Sequence, residues 1–342
     1  MSPNYQIPPQ EQKRIRQLND RLSGEIKIGL VEAQDPRSRQ INDFCAQLTR
    51  LVPKIRLLKS DEEPPATPAI LIGSGVRYQG VPQGAELEPF LEALATLDKN
   101  SLTLAAAIQA QSEDLPLPAL LQIYVTPQCK FCPQAVRQFL PLATAPNPVR
   151  LTVVDCTLFP ELAQTCGIKA APTVVLDHQF QWTGTLQLDE IVAVIKNRDP
   201  AQLGPTSLES ILKEGKASQL AAMMLDRETI FPAIYDLLTH AEWPVRLGAM
   251  VVMEELAHHK PALAAQTLAP LWARFAQVAD QIKGDLLYIF GEIGSAQMIA
   301  PLEGILKGHY DSEVKEAALE ALAKMRRCED RHDSPQTPCA PD

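Results

Sequence analysis

Apolar and polar positions fall into two matching blocks along the first 200 residues. "EIKIGLVEAQD" (25–35) and "ALLQIYVTPQC" (119–129) are short apolar runs bounded by turn residues, the pattern of a buried strand. Helical spacing follows each: Ile41, Phe44, Cys45, Leu48 and Leu51 in the first block, Val136, Phe139 and Leu140 in the second. "KIRLLK" (54–59) and "VRLTVVD" (149–155) predict the next strands, then "ATPAILI" (66–72) and "AAPTVVL" (170–176). Pro68 and Pro172 stand in step. Ten residues beyond each is an aromatic, Tyr78 or Trp182, and twelve beyond a glycine, Gly80 or Gly184. Both blocks then run into an amphipathic helix, "ELEPFLEAL" (86–94) or "LDEIVAVIK" (188–196). So many shared offsets predict a duplicated α/β module, residues 20–97 and 119–198, joined by a linker helix over 98–118. The order of elements in each block predicts a mixed sheet with helices on its faces.

After "KNRDPAQLGPTS" (196–207) the strand pattern stops and paired helices begin. Three helix starts share an apolar residue, a base and small residues: "PVRLGA", "QIKGDL" and "EVKEAA". Their apolar residues Val245, Ile282 and Val314 lie 37 and 32 residues apart. That interval predicts an all-α solenoid of helix pairs over 206–326. Pro244 suits a first helical turn, and Asp311 or Ser312 a cap. The polar stretch 327–342 is expected to be a disordered tail.

With 342 residues and 46% hydrophobic composition the chain can bury real cores. A net charge of −9 argues against nucleic acid as a partner. No run approaches the roughly 20 apolar residues of a membrane span. Seven cysteines without an export signal predict a cytoplasmic, reducing setting, where persisting thiols are ligands, catalytic or buried.

The chemistry concentrates in "TPQCKFCPQAV" (126–136). A Cys-x-x-Cys that follows a strand and opens a helix fits a thiol–disulfide centre, whereas a zinc site needs a second pair. Cys156 and Cys166 are ten apart, and His309, Cys328, His332 and Cys339 are irregularly spaced, so no bound metal is expected. The first block has "DPRS" (35–38) where the second has "CKFC". Cys45 lies on an apolar stripe and is expected in the core, while Cys156 and Cys166 read as half-buried thiols, with an auxiliary disulfide or glutathionylation site as the alternative.

Cys129-Lys130-Phe131-Cys132 after a strand, with "AAPT" downstream, resembles the thioredoxin fold. Two copies with thiols only in the second are similar to the N-terminal domain of the alkyl hydroperoxide reductase flavoprotein subunit. They also resemble the two-module, glutaredoxin-like protein disulfide oxidoreductases. Residues 206–326 resemble short HEAT repeats. The expected fold is thus α/β, two tandem thioredoxin-like modules followed by a HEAT-like solenoid. The resemblance implies that Pro172 is a cis-proline facing the thiols and that the Ala171 backbone pairs with substrate.

A sulfur at a helix start faces unpaired N–H groups, which suits Cys129 as nucleophile and the deeper Cys132 as resolving thiol. Residues 115–154 contain no Asp or Glu, where the average of the chain predicts about five, so the local neighbourhood of the thiols is expected to lack destabilising anions unless fold contacts bring acids close. Lys130 and Phe131, between the sulfurs, are expected to tune the potential. "VPQGAELEPF" and Asp35 read as packing and turn residues, with the "VEAQDP" loop exposed for a partner.

The function expected is dithiol–disulfide exchange on protein disulfides. No cofactor is held by the chain, and electrons come from a thioredoxin-reductase-like flavoprotein or another dithiol donor. Partners expected are that flavoprotein or a peroxiredoxin, and a protein on the helical repeats. The alternative is a redox-sensitive scaffold in which the Cys pair switches binding by the helical repeats.

Overall fold

A computed structural model of the chain describes residues 5–60, 67–98, 115, 117–144 and 148–332. It forms two compact units, Met1–Arg198 and Asp199–Asp342.

The first unit is built on one sheet of eight strands in the order β2-β1-β3-β4-β6-β5-β7-β8. The strands are β1 (Ile26–Val31), β2 (Ile55–Lys59), β3 (Ala69–Ile72), β4 (Val76–Gln79), β5 (Ala119–Val125), β6 (Val149–Asp155), β7 (Thr173–Leu176) and β8 (Phe180–Thr183). In the first half β1 pairs parallel with β2 and antiparallel with β3, which pairs antiparallel with β4. β5, β6, β7 and β8 repeat those senses in the second half. The halves join where β4 and β6 pair in parallel, Val76 beside Leu151 through Gln79 beside Val154. That junction gives each strand a neighbour where a half alone would present an open edge.

Among the described residues this sheet is accompanied by helices α1 (Pro9–Arg21), α2 (Arg37–Leu51), α3 (Leu87–Ala95), α4 (Cys132–Thr144), α5 (Pro160–Thr165) and α6 (Leu188–Asn197). α1 begins well before residue 20, where the apolar pattern placed the start of the module. Its sparse stripe, Ile15 and Leu18, is fully buried, and Ile7 ahead of it is too. The chain entering α1 is fixed to α2 by backbone bonds: Tyr5 N–H to Asp43 and Ile7 N–H to Gln47. The linker helix expected over 98–118 lies largely outside the described residues.

Phe44 and Tyr78 each meet Phe90 edge to face, with centroids 5.8 and 5.1 Å apart, so β4, α2 and α3 share one core. Gly75 is required where the end of α4 approaches the β3–β4 turn, because a Cβ there would overlap the Ala143 carbonyl oxygen. In the second half a buried ion pair, Arg198–Asp177, ties the end of α6 to the β7–β8 turn. Asp177 also accepts from the Leu120 N–H, and Arg198 donates to the Pro118 carbonyl, so no charge is left unpaired there.

The second unit is helical: α7 (Pro205–Lys213), α8 (Ala217–Arg227), α9 (Ile234–Leu238), α10 (Trp243–His259), α11 (Pro261–Ala264), α12 (Leu268–Phe275), α13 (Asp280–Ile293), α14 (Ile299–Lys307) and α15 (Ser312–His332). α8, α10, α13 and α15 pack in series. Arg246, 1% exposed, joins two of them. It donates to Asp285 on α13 at 2.7 Å and to the carbonyls of His240 and Ala241, each at 2.8 Å. α15 runs on to His332, past the boundary at 326 that the loss of apolar periodicity marked. Its last turns are polar, so periodicity could not report them. No helix among the described residues is long and apolar enough to cross a membrane.

Candidate active site

β5 ends at Val125, and residues 126–131 turn the chain into α4, whose first residue is Cys132. The Cys129 N–H bonds back to Thr126 at 3.0 Å, which curls the loop and brings the Cys129 sulfur over the start of the helix. There the sulfur accepts the Cys132 N–H at 3.1 Å, an amide with no partner inside the helix. The Cys129 thiol in turn donates to the Ala171 carbonyl at 3.6 Å. Both cysteines are free thiols. Cys129 is half-buried and Cys132 fully buried. Burial first, then the hydrogen bond with Cys129, pushes the Cys132 thiol far above the ordinary range.

The backbone on either side of Ala171 sets its carbonyl against the sulfur. The Ala171–Pro172 peptide is cis. Thr173 fastens the segment by donating to the Ala170 carbonyl at 2.8 Å, and the Gly184 N–H donates to the Pro172 carbonyl at 3.0 Å. The structure therefore brings Cys129, Cys132, Ala171 and Pro172 together. Lys130 and Phe131 point outward, Phe131 with 72% of its surface exposed.

The acid-free neighbourhood read from the sequence is not kept in the fold. Glu86, in the 3-10 turn Gly84–Glu86 of the first half, is 5% exposed, and its charge acts on the Cys132 thiol. Its carboxyl lines a cavity of about 10 Å³ with Tyr78, Val125, Pro127, Val153 and Asp155, room for one water-sized group. Neither Glu86 oxygen, nor the Tyr78 hydroxyl, has a hydrogen-bond partner among the described residues. Burial raises the Glu86 carboxyl to about 7; Arg137 opposes the rise and Asp155 adds to it. Gly84 must be glycine for this turn: its φ is +61° and a Cβ would sit 3.2 Å from the Pro127 carbonyl. The Gly84 N–H is held by Glu11 on α1 at 2.8 Å, and Arg137 on α4 grips Glu92 on α3 through two bonds of 2.7 and 2.9 Å.

The sequence pattern alone presents Glu86 as a packing residue. The available signal was its place one residue before Leu87 and four before Phe90, which puts an acid on an apolar stripe.

The matching loop of the first half keeps Glu32, Gln34 and Pro36 exposed, and it closes only where the second half has Phe131 and Cys132. Ser38, at the offset of Cys132, is buried and donates to the Ala33 carbonyl at 2.8 Å. Arg37, at the offset of Phe131, folds over the Phe159 ring at 4.2 Å and binds Asp35, Glu161 and the Leu158 carbonyl. The second half thus holds the Arg37 end of this loop and leaves its tip exposed. Among the described residues no cluster of His, Cys, Asp and Glu could hold a metal ion.

Residues 120–196 match the thioredoxin domain family. The chain is similar to the F component of alkyl hydroperoxide reductase from Xanthomonas campestris pv. phaseoli, 26% identical over 62% of this chain and 42% of that protein. It therefore spans less than half of that curated relative. A thioredoxin of Methanocaldococcus jannaschii is 28% identical over 23% of this chain and 93% of its own length. Among solved structures, a protein disulfide oxidoreductase from Aeropyrum pernix aligns over 56% of this chain and 93% of its own, with 16% identity and a TM-score of 0.49.

Proposed function

We propose that the protein is a thiol–disulfide oxidoreductase acting on protein disulfides, built from two thioredoxin-like modules of which only the second carries thiols. The observation that carries this reading is the Cys129 sulfur, held between the first amide of α4 and the Ala171 carbonyl, with the buried Cys132 thiol behind it. The thioredoxin match over the same residues and the repeated strand order support it.

In the reaction proposed, the Cys129 thiol gives its proton to water and its thiolate attacks one sulfur of the substrate disulfide. The other sulfur leaves as a thiolate and takes up a proton. The mixed disulfide sits against the Ala171–Pro172 segment, where the backbone offers the substrate strand a partner. Cys132 then gives its proton to the Glu86 carboxylate and attacks Cys129, releasing the second substrate thiol. Two electrons have passed to the substrate, and Cys129 and Cys132 are joined. An outside dithiol donor reduces them again. The Xanthomonas relative is named for a hydroperoxide reductase, so a thioredoxin-reductase-like flavoprotein or a peroxiredoxin is the proposed redox partner. The first module serves as scaffold and supplies Glu86.

The helical unit is proposed as HEAT-like and as a protein-binding platform. Among its described residues Trp243, Leu247, Tyr288 and Leu319 are exposed large apolar side chains, candidates for the contact with such a partner.

Replacing Cys132 with Ser tests the roles of the two sulfurs. Resolution is then blocked, and a mixed disulfide with a protein substrate accumulates on Cys129. Cys129→Ser accumulates none. Equal trapping by both variants contradicts the assignment.

A further inference from the structure

Cys156 and Cys166 take no part in the reaction above, and the fold places both on the Tyr124 side of the sheet. Cys156 follows β6 directly, and Cys166 caps the end of α5. β5 and β6 run parallel with Tyr124 beside Val154, so Tyr124, Val154 and Cys156 share one face of the sheet. The other face carries Val125 and Asp155, which line the Glu86 cavity. Cys166 reaches the Tyr124 face from the helix end, and the Tyr124 hydroxyl donates to its sulfur at 3.0 Å. Both cysteines are half-buried free thiols, open enough for a small reagent. Burial, then the Cys166 hydrogen bond, then the charge of Cys166 and last that of Cys156, hold the Tyr124 hydroxyl protonated. Burial, with Asp155 beside it, pushes the Cys156 thiol up to about 11.

We propose that Cys156 and Cys166 form a second dithiol–disulfide couple, separate from Cys129 and Cys132, that is closed by small-molecule disulfides of the glutathione kind. Cys166 reacts first, because the Tyr124 O–H supports charge on its sulfur as it attacks. It displaces one small thiol and keeps the other half as a mixed disulfide. The Cys156 sulfur then displaces that second half, and the Cys156–Cys166 bond forms. Two electrons pass from the cysteines to the small disulfide, and the two thiol protons leave on the two released thiols.

The couple is placed to reach the active site. The Cys156 N–H holds the Val125 carbonyl at 2.9 Å, at the end of the strand that leads to Cys129. Residues 167–171 run from Cys166 to the Ala171 carbonyl.

The test uses the full chain carrying Cys129→Ser and Cys132→Ser, so it does not depend on the activity proposed for that pair. The reduced protein is exposed to glutathione disulfide, blocked with iodoacetamide and cut with trypsin, which releases 151–169 with both cysteines in one peptide. The expected product is that peptide two hydrogens lighter and unalkylated, formed through a singly glutathionylated intermediate. A peptide alkylated at both cysteines, one that stays glutathionylated, or one joined to Cys328 or Cys339 overturns the proposal. With Tyr124→Phe added, closure slows about tenfold, the loss of one hydrogen bond to a charged sulfur. An unchanged rate overturns the role given to the hydroxyl and the order of attack.

Discussion

Glu86 and Cys132 come from opposite halves of the first unit, yet the turn that carries Glu86 packs against α4, which Cys132 opens. The Glu86 charge adds a last, small push to the rise that burial and Cys129 give the Cys132 thiol. A buried carboxyl raised to about 7, in a turn packed on the helix of a buried thiol, can take a proton during resolution and give it up afterwards. Glu86→Gln keeps the shape and removes the acceptor. The release of substrate from the Cys129 mixed disulfide should slow about 100-fold, while the first attack by Cys129 is little changed. Rapid-quench measurement of the two steps separates them. Equal slowing of both, or of neither, removes Glu86 from the proton path.

Stability carries a second signature of the same carboxyl. Its pKa in the fold, about 7, lies above the ordinary 4.5, so between those values the folded state holds a proton that the unfolded chain has released. The stability contributed by the neutral acid is complete below about 4.5 and is lost as pH rises through about 7. For a group this buried the loss is roughly 3 kcal/mol. Denaturant melts of Glu86→Gln should be flatter across that window and show a more stable protein than the parent at pH 8. A parent and variant with parallel pH profiles contradict the buried-acid account.

The two halves should depend on each other. Residues 115–198 alone would present β6 as an open edge and lose Glu86, which comes from the first half. Arg37 adds a clasp, through Phe159, Glu161 and the Leu158 carbonyl. Arg37→Ala is expected to cost about 1–2 kcal/mol in the first unit, the range for a half-buried cation that loses several partners. The isolated 115–198 piece is expected to melt at lower denaturant than 1–198 or to associate through its edge. A piece as stable and monomeric as the pair would show the first half to be dispensable.

How far the sequence reveals each feature depends on how local that feature is. Cys129 and Cys132 are legible because a helix start declares itself within four residues. Pro172 is legible through the resemblance that "AAPT" carries to the thioredoxin fold. The parallel β4–β6 pairing is hidden, since the alternation of a strand reports its faces and not its neighbour. Glu86 is hidden for the same reason: 46 residues separate it from Cys132, and only the assembled sheet brings its carboxyl to bear on the thiol. A stretch free of acids in sequence is therefore no guide to the acids around it in space. α1 is hard to see because most of its residues are polar and its buried face is two residues wide, Ile15 and Leu18.

In the helical unit, Arg246 is the residue on which neighbouring helices depend. Arg246→Met leaves the Asp285 charge and the carbonyls of His240 and Ala241 without their partner. The expected cost is about 3 kcal/mol in that unit. Adding Asp285→Leu should recover part of it, because the stranded charge is gone while the two carbonyls remain unpaired. Thermal melts of the single and double variants check this, and a single variant as stable as the parent contradicts it.

The central claim is that Cys129 and Cys132 turn over, which separates an enzyme from a scaffold whose thiols only switch its binding. The direct measurement is the number of disulfides reduced per chain in a protein substrate such as insulin, with a dithiol supplying electrons. The account predicts many disulfides reduced by each chain, at a rate that falls to background in Cys129→Ser. Reduction that stops at one disulfide per chain, or that persists in Cys129→Ser, would contradict it.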